Sequence, residues 1–269
     1  MISIAFAPAA LPNEGALALL APEGAAPSGV WAQADAACGG ALVRAASAAG
    51  FTGKKGQTCV VLAPSETLAR VVLVGLGKDA DHTLRGMEEA GGLAAAALSR
   101  DAAAALAVDG MPASHAAHAA LGARLLSYRF DRYRTKEADD AKPKLTALTV
   151  LADDPDAASA AWPALDALVH GTALSRDLIS EPPNVLNPAE MAERCRPLAD
   201  LGVEVEVLGP TELEALGFGA LLGVSQGSAN EPRVVVMRWR GGRRAPPSRR
   251  PRPRRRPCPI ACRPSRPPA

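Results

Sequence analysis

Apolar and polar positions alternate in blocks along the first 240 residues, and the block lengths predict the elements. "ISIAF" (Ile2 to Phe6) and "ALALL" (Ala16 to Leu20) are short apolar runs bounded by Pro and Gly, the pattern of strands. "TCVVLAP" (Thr58 to Pro64) and "ARVVLVGLG" (Ala69 to Gly77) are richer in Val, and the second is continuously apolar, as in a strand covered on both faces. Thr83 to Arg100 then places Leu84, Met87, Leu93 and Leu98 near helical spacing, with Gly91-Gly92 as a weak point. Ala113 to Leu126 predicts a second helix and Lys144 to Asp153 a further strand. Strand, helix and strand in alternation imply an α/β sandwich.

A boundary is expected at "DDPDAASAAW". Asp156 to Ile179 predicts a long helix that tolerates Pro163 near its start and stops at "SEPPNVLNP". Asn187 before Pro188 has the form of an N-cap followed by Pro in the first helical position, and Gly202 supplies a stop. "VEVEVL" (Val203 to Leu208) alternates as a half-buried strand does; a short helix (Thr211 to Leu216) and the strand "RVVVMRW" (Arg233 to Trp239) follow. No internal repeat is present.

Composition changes this picture in one place. Ten of the 30 Lys and Arg residues, and none of the 28 Asp and Glu, lie between Gly241 and Ala269. The body before Gly241 therefore carries 20 basic against 28 acidic residues, and the formal charge of +2 belongs to an acidic body joined to a basic end. An acidic body argues against nucleic acid as its partner, because phosphate binding rests on Lys and Arg. The hydrophobic share of 48% suffices for a core, but aromatics at 3% leave it to Leu, Val and Ala. No basic leader and no apolar run long enough to cross a bilayer is seen, and five scattered cysteines form no framework; a reducing cytoplasm and no membrane partner are expected.

Candidate chemistry is sparse. Gly75, Gly77 and Ala80 fit a G-x-G-x-x-A pattern after a strand, which can cradle a pyrophosphate. Glycine at a strand-to-helix turn is common for backbone reasons alone, and no acidic residue is placed to hold a ribose, so a turn is the preferred reading. His115 and His118 stand three apart on a helix, but a zinc site needs three or four ligands and none accompany them. Cys258 and Cys262 have only Pro, Arg and small residues around them. "YRFDRYRTK" (Tyr128 to Lys136) interleaves aromatics with Arg124, Arg129, Arg132, Arg134 and Lys136, a combination that suits nucleic acid. Asp131, Glu137, Asp139 and Asp140 lie alongside, which favours a packed, salt-bridged connector. "SRDLISEPPNVLNP" brings Arg176, Asp177, Glu181 and Asn184 together, either as a carboxylate pair for acid/base work or, the favoured reading, as a helix end and its turn.

Three segments, "YRFDRYRTK", "ALSRDLISEPPNVLNPAEMAER" and "GFGALLGVSQGSANEPRVVVMRWRGG", together resemble the leucyl aminopeptidase (cytosol aminopeptidase) family. "FTGKKGQ" (Phe51 to Gln57) and "RVVLVGLGK" (Arg70 to Lys78) are similar to its N-terminal domain, so the likeness runs in order from near Met1 to about Gly242. The resemblance implies an α/β fold: a macro-domain-like mixed-sheet sandwich over 1–152, then a linker helix and the beginning of a truncated α/β catalytic domain over 153–242. It also implies release of N-terminal, Leu-like residues from peptide substrates, homohexamers, and two divalent ions, Mn or Zn, that activate a water and polarise the scissile carbonyl.

The family's metal ligands and catalytic residues come from stretches resembling G-K-G-x-x-x-D-S-G-G and N-T-D-A-E-G-R, both after the "RVVVMRW" strand. Neither occurs here, and no Asp, Glu or Lys follows Glu231, so no catalytic, metal or cofactor-binding residue carries over. From Gly241, 24 of 29 residues are Gly, Arg, Pro or Ala, whose codons begin with two G/C bases; a shifted reading frame in a GC-rich gene is the expectation for 243–269. A disordered, Arg-rich tail that binds nucleic acid is the alternative. The expected protein is thus inactive alone, with unpaired edges and an uncovered apolar face in its second part.

Overall fold

The computed structural model describes residues 1–241 and divides the chain into two compact units, Met1–Pro182 and the part from Pro183 onward. The expectations for 243–269, including Cys258, Cys262 and the Arg-rich tail, lie outside the described residues.

In the first unit β1 (Ser3–Pro8) and β2 (Gly15–Pro22) are followed by α1 (Gly29–Ala37), α2 (Ala41–Ala48), β3 (Thr58–Leu62) and β4 (Leu68–Gly77). Then come α3 (Leu84–Ala97), β5 (Ala103–Ala107), α4 (Ala113–Leu126), β6 (Ala147–Ala152) and α5 (Pro155–Ser180). The strands form one mixed sheet in the order β1-β6-β5-β2-β4-β3, parallel except for the antiparallel edge pair β3 and β4. Period-2 alternation sorts the sheet's side chains onto two cores. Leu17, Leu19, Val71 and Leu73 face Trp31 and Leu42 from α1 and α2, whereas Ala18, Val72 and Val74 face Met87 and Ala120 from α3 and α4 and Leu98 just after α3. The continuous apolar run of β4 is buried on both faces, as its sequence pattern requires.

Three elements of the first unit escaped the hydrophobic pattern. β5 reads "AAALA", and alanine has no strand preference; parallel pairing with β2 and β6 extends it. α1 and α2 are short, and α1 lacks a local capping side chain; Asp109, 79 residues away, accepts the Val30 amide at 2.9 Å in its place. Gly91 in α3, read as a weak point, is a contact point instead. A Cβ there would lie 1.9 Å from the Ala119 carbonyl oxygen, and one at Gly122 of α4 would lie 1.8 Å from that of Glu88, so the two helices cross with their backbones touching.

The long helix belongs to the first unit. Asp154 caps α5 by accepting from the Ala157 amide at 2.9 Å, Pro155 occupies the first turn, and Pro163 sits inside it. Ala158 and Val169 are fully buried, and Trp162 meets Phe6 of β1 edge to face with centroids 6.0 Å apart.

In the second unit, α6 (Pro188–Cys195) starts where the sequence places it, with the Asn187 side chain accepting from the Glu190 amide at 3.0 Å. β7 (Glu204–Leu208) and β8 (Val234–Arg238) pair antiparallel as a two-stranded sheet, separated by α7 (Pro210–Ala215) and α8 (Gly219–Ser225). Leu213 is fully buried, while Leu201, Leu216, Val224 and Trp239 are exposed. Among the described residues no helix is long and apolar enough to cross a membrane.

Candidate functional site

The polar side chains gathered by "YRFDRYRTK" and "SRDLISEPPN" meet at one corner of the first unit, where the segment after α4 lies along the last turns of α5. Tyr128 donates to Asp177 Oδ1 at 2.7 Å, and Tyr133 donates to Glu181 Oε2 at 2.5 Å. Arg132 pairs with the other oxygen of Glu181, whose side chain is fully buried. Arg176 stacks over the Tyr128 ring at 5.3 Å and donates to the Leu125 carbonyl at 2.8 Å. About three turns toward the start of α5, Arg124 pairs with Asp166 at 2.5 Å and lies over Trp162. Arg129 is held by both oxygens of Glu137, at 2.8 and 2.6 Å.

This arrangement fixes protonation states. Partial burial and the hydrogen bond to Asp177 push the Tyr128 phenol above its ordinary range, and the hydrogen bond to Glu181 does the same to Tyr133. Arg129 holds the Glu137 carboxyl below the usual carboxylate range. Asp177 and Glu181 each serve as acceptors for a phenol, and Glu181 also for a guanidinium, so both carboxylates are engaged within the chain. The corner is a clamp between chain segments about 50 residues apart in sequence. The connector and helix-end readings describe it better than an acid/base pair or a nucleic-acid surface.

The glycine pattern is accounted for by packing. A Cβ on Gly75 would lie 2.1 Å from the Lys54 carbonyl oxygen, and the Gly77 amide donates to the Gly53 carbonyl at 2.9 Å with φ at +82°. The loop 52–57 thus closes over the end of β4. Gln57 knits it together by accepting from the Thr52 amide, the Thr52 hydroxyl and the Lys54 amide at 3.0, 3.2 and 3.1 Å. The space a pyrophosphate would need is filled by this loop and by the Asp81 carboxylate, whose Oδ2 lies 2.6 Å from where a Gly77 Cβ would stand. Gln57 was not singled out from sequence. Its signal was a Gln closing a Gly-rich run before a strand.

The two histidines turn to different partners. His118 Nδ1 lies 2.7 Å from Glu88, and His115 Nε2 lies 3.0 Å from the His82 carbonyl oxygen. Among the described residues no three of His, Cys, Asp and Glu converge on a point where one ion could sit. The described residues do not fit a divalent metal pair.

Comparison with known proteins supplies the context for these segments. The N-terminal domain profile of the cytosol aminopeptidase family matches residues 17–137, and the catalytic domain profile of the same family matches residues 173–249. The proteins named "Probable cytosol aminopeptidase" from Caulobacter vibrioides and Gluconobacter oxydans are 45% and 44% identical over 84% and 81% of this chain. The chain spans about half the length of these curated relatives, 46% and 45% respectively. Among solved structures, the K354E mutant of tomato leucine aminopeptidase superimposes with a TM-score of 0.76 at 25% identity, over 88% of this chain and 50% of that one. The bottromycin maturation enzyme BotP in complex with Mn gives 0.64 at 27% identity, over 84% and 45%. Two successive domain profiles matched in order, the relatives over four fifths of the chain and the shared fold place this chain in the cytosol (leucyl) aminopeptidase family.

Proposed function

We propose that this chain supplies the N-terminal domain and the opening of the catalytic domain of a metal-dependent leucyl aminopeptidase acting on peptide N-termini in the cytoplasm, and that it does not hydrolyse peptides by itself. The observation that carries the second half is chemical. The catalytic-domain match begins at residue 173, yet after Glu231 the chain has no Asp, Glu or Lys with which to hold a divalent ion. The carboxylates nearest the start of that match, Asp177 and Glu181, are engaged by Tyr128, Tyr133 and Arg132. Manganese in the BotP complex supports a divalent-metal reaction for the complete enzyme, with Mn or Zn as its ions.

The role left to these residues is architectural. The clamp at Tyr128, Arg132, Tyr133, Asp177 and Glu181 fixes where α5 ends and hence where the chain enters the catalytic segment. The test is turnover of leucine p-nitroanilide by the purified chain with saturating Mn²⁺, run beside the Caulobacter relative. The relative is expected to release p-nitroaniline and this chain to stay at the metal-only blank. Turnover above that blank overturns the proposal.

A further inference from the structure

The sheet of the first unit ends in β3, whose sheet partner among the described residues is β4 alone. The antiparallel register decides which backbone groups that pairing uses. The Gly75 amide donates to the Gln57 carbonyl at 2.8 Å and the Ala63 amide to the Ala69 carbonyl at 2.9 Å, so alternate residues from 57 to 63 turn toward β4. The amides and carbonyls of Thr58, Val60 and Leu62 therefore point away from the sheet. Their side chains are uncovered as well. Cys59 and Val61 pack into the core beneath α1 and α2, whereas Val60 and Leu62, on the opposite face, are 45% and 65% exposed. Sheet edges are ordinarily blunted by a charge, a proline or a bulge. β3 reads "TCVVL", with neither charge nor proline, and its register with β4 runs without a shift. Ala63, at φ +46°, and Pro64 then turn the chain off the strand, which confines the open edge to this stretch.

We propose that β3 is a self-association edge, at which two copies of this chain pair their β3 strands antiparallel across a two-fold axis through Val60. The outward residues stand first, third and fifth in the strand. In this register Val60 lies opposite the partner's Val60 and Thr58 opposite the partner's Leu62, so every outward amide meets a carbonyl. Charge fixes the orientation. Exposed Lys54 precedes the strand and exposed Glu66 follows it, and neither makes an ion pair among the described residues, whereas Lys55 is engaged by Glu89 at 2.9 Å. Antiparallel pairing carries Lys54 to the end where the partner's Glu66 stands, and parallel pairing would set like charges together. A free extended peptide offers the same backbone groups but leaves both charges unmatched. The contact is isologous and uses up the edge of both copies, so it closes at a pair. It rests on the sheet of the first unit and not on the aminopeptidase reading.

Sedimentation velocity of the full chain over a series of concentrations, with amide hydrogen exchange of the ¹⁵N-labelled chain in parallel, tests this. A reversible association is expected. The Val60 and Leu62 amides should exchange more slowly as concentration rises, while those of Cys59 and Val61, turned toward β4, stay protected throughout. Val60→Pro removes an outward donor that the β3–β4 ladder does not use, so the sheet remains intact. It should weaken the pairing by about 10-fold or more, since one hydrogen bond is lost on each side of the axis. Glu66→Lys should weaken it by about 3- to 10-fold, and adding Lys54→Glu should restore it. Association of Val60→Pro equal to that of the parent chain overturns the proposal, as does exchange at Val60 and Leu62 that ignores concentration. Protection of those two amides that appears with an added extended peptide, and not with chain concentration, assigns the edge to a peptide and overturns it too.

Discussion

At the residue scale, the clamp offers an unusual reporter. The chain has only two tyrosines, Tyr128 and Tyr133, and both donate their phenol protons within it. Each phenol is held above its ordinary value, so the hydrogen-bonded, protonated form contributes stability that is fully present below the unfolded pKa, about 10, and is lost as pH rises through the folded pKa. Alkaline titration followed by tyrosinate absorbance should therefore show no ordinary tyrosine in the folded chain, and normal behaviour after denaturation. Glu181→Gln should lower the titration of Tyr133 selectively, and Asp177→Asn that of Tyr128; a folded chain whose tyrosines both titrate near 10 contradicts the clamp. On the acid side the signs reverse. Glu137 is depressed by Arg129, so its contribution stands above the ordinary carboxylate range and is lost as pH falls through the folded value.

At the scale of elements, three glycines that look alike in sequence separate by their neighbours. Gly91 and Gly122 sit where α3 and α4 touch, and a methyl group on either would displace backbone. Gly91→Ala should cost about 2–4 kcal/mol in denaturant unfolding, because the strain of forcing two packed helices apart exceeds the gain of about 1 kcal/mol in helix propensity. Gly171 of α5 has nothing within 4 Å of its added Cβ, so Gly171→Ala should stabilise the chain by about 0.5–1 kcal/mol. Equal effects at the two positions would show that α3 and α4 do not cross as described. Sequence reading recovered both helices but misjudged Gly91, because helix propensity is local and the crossing partner lies on another element. It missed β5 for a related reason: "AAALA" acquires its extended form from the strands on either side.

At the scale of the molecule, the position of α5 decides what should fold. The sequence reading ended its N-terminal domain at residue 152, but Ala158 and Val169 are fully buried, and Trp162 packs on Phe6 within the first unit. A fragment of residues 1–182 should unfold cooperatively, whereas one of 1–152 exposes the α4 and β1 surfaces that α5 covers and should melt lower. Limited digestion with the broad-specificity protease proteinase K is expected to leave a stable fragment ending near Pro182, and one ending near Ala152 would contradict the unit boundary. The second unit has a two-stranded sheet and exposed Leu201, Leu216, Val224 and Trp239, a small core for its length.

The order of residues alone determined the α/β class, most strands and helices, the Asn187 cap with Pro188 in the first helical position, and the family likeness, because these rest on periodicity and on motifs read within a few neighbours. It also showed that no Asp, Glu or Lys follows Glu231, a property of composition that no fold can alter. The tertiary structure decided what each polar group is for. Glu181 and Asp177 could be catalytic or structural in a line of text; only the approach of Tyr128, Arg132 and Tyr133 from about 50 residues away commits them to structure. Gly75 and Gly77 could be a phosphate cradle until the 52–57 loop occupies it. Desolvation and hydrogen-bond pairing depend on what lies across space, and sequence spacing does not contain that information.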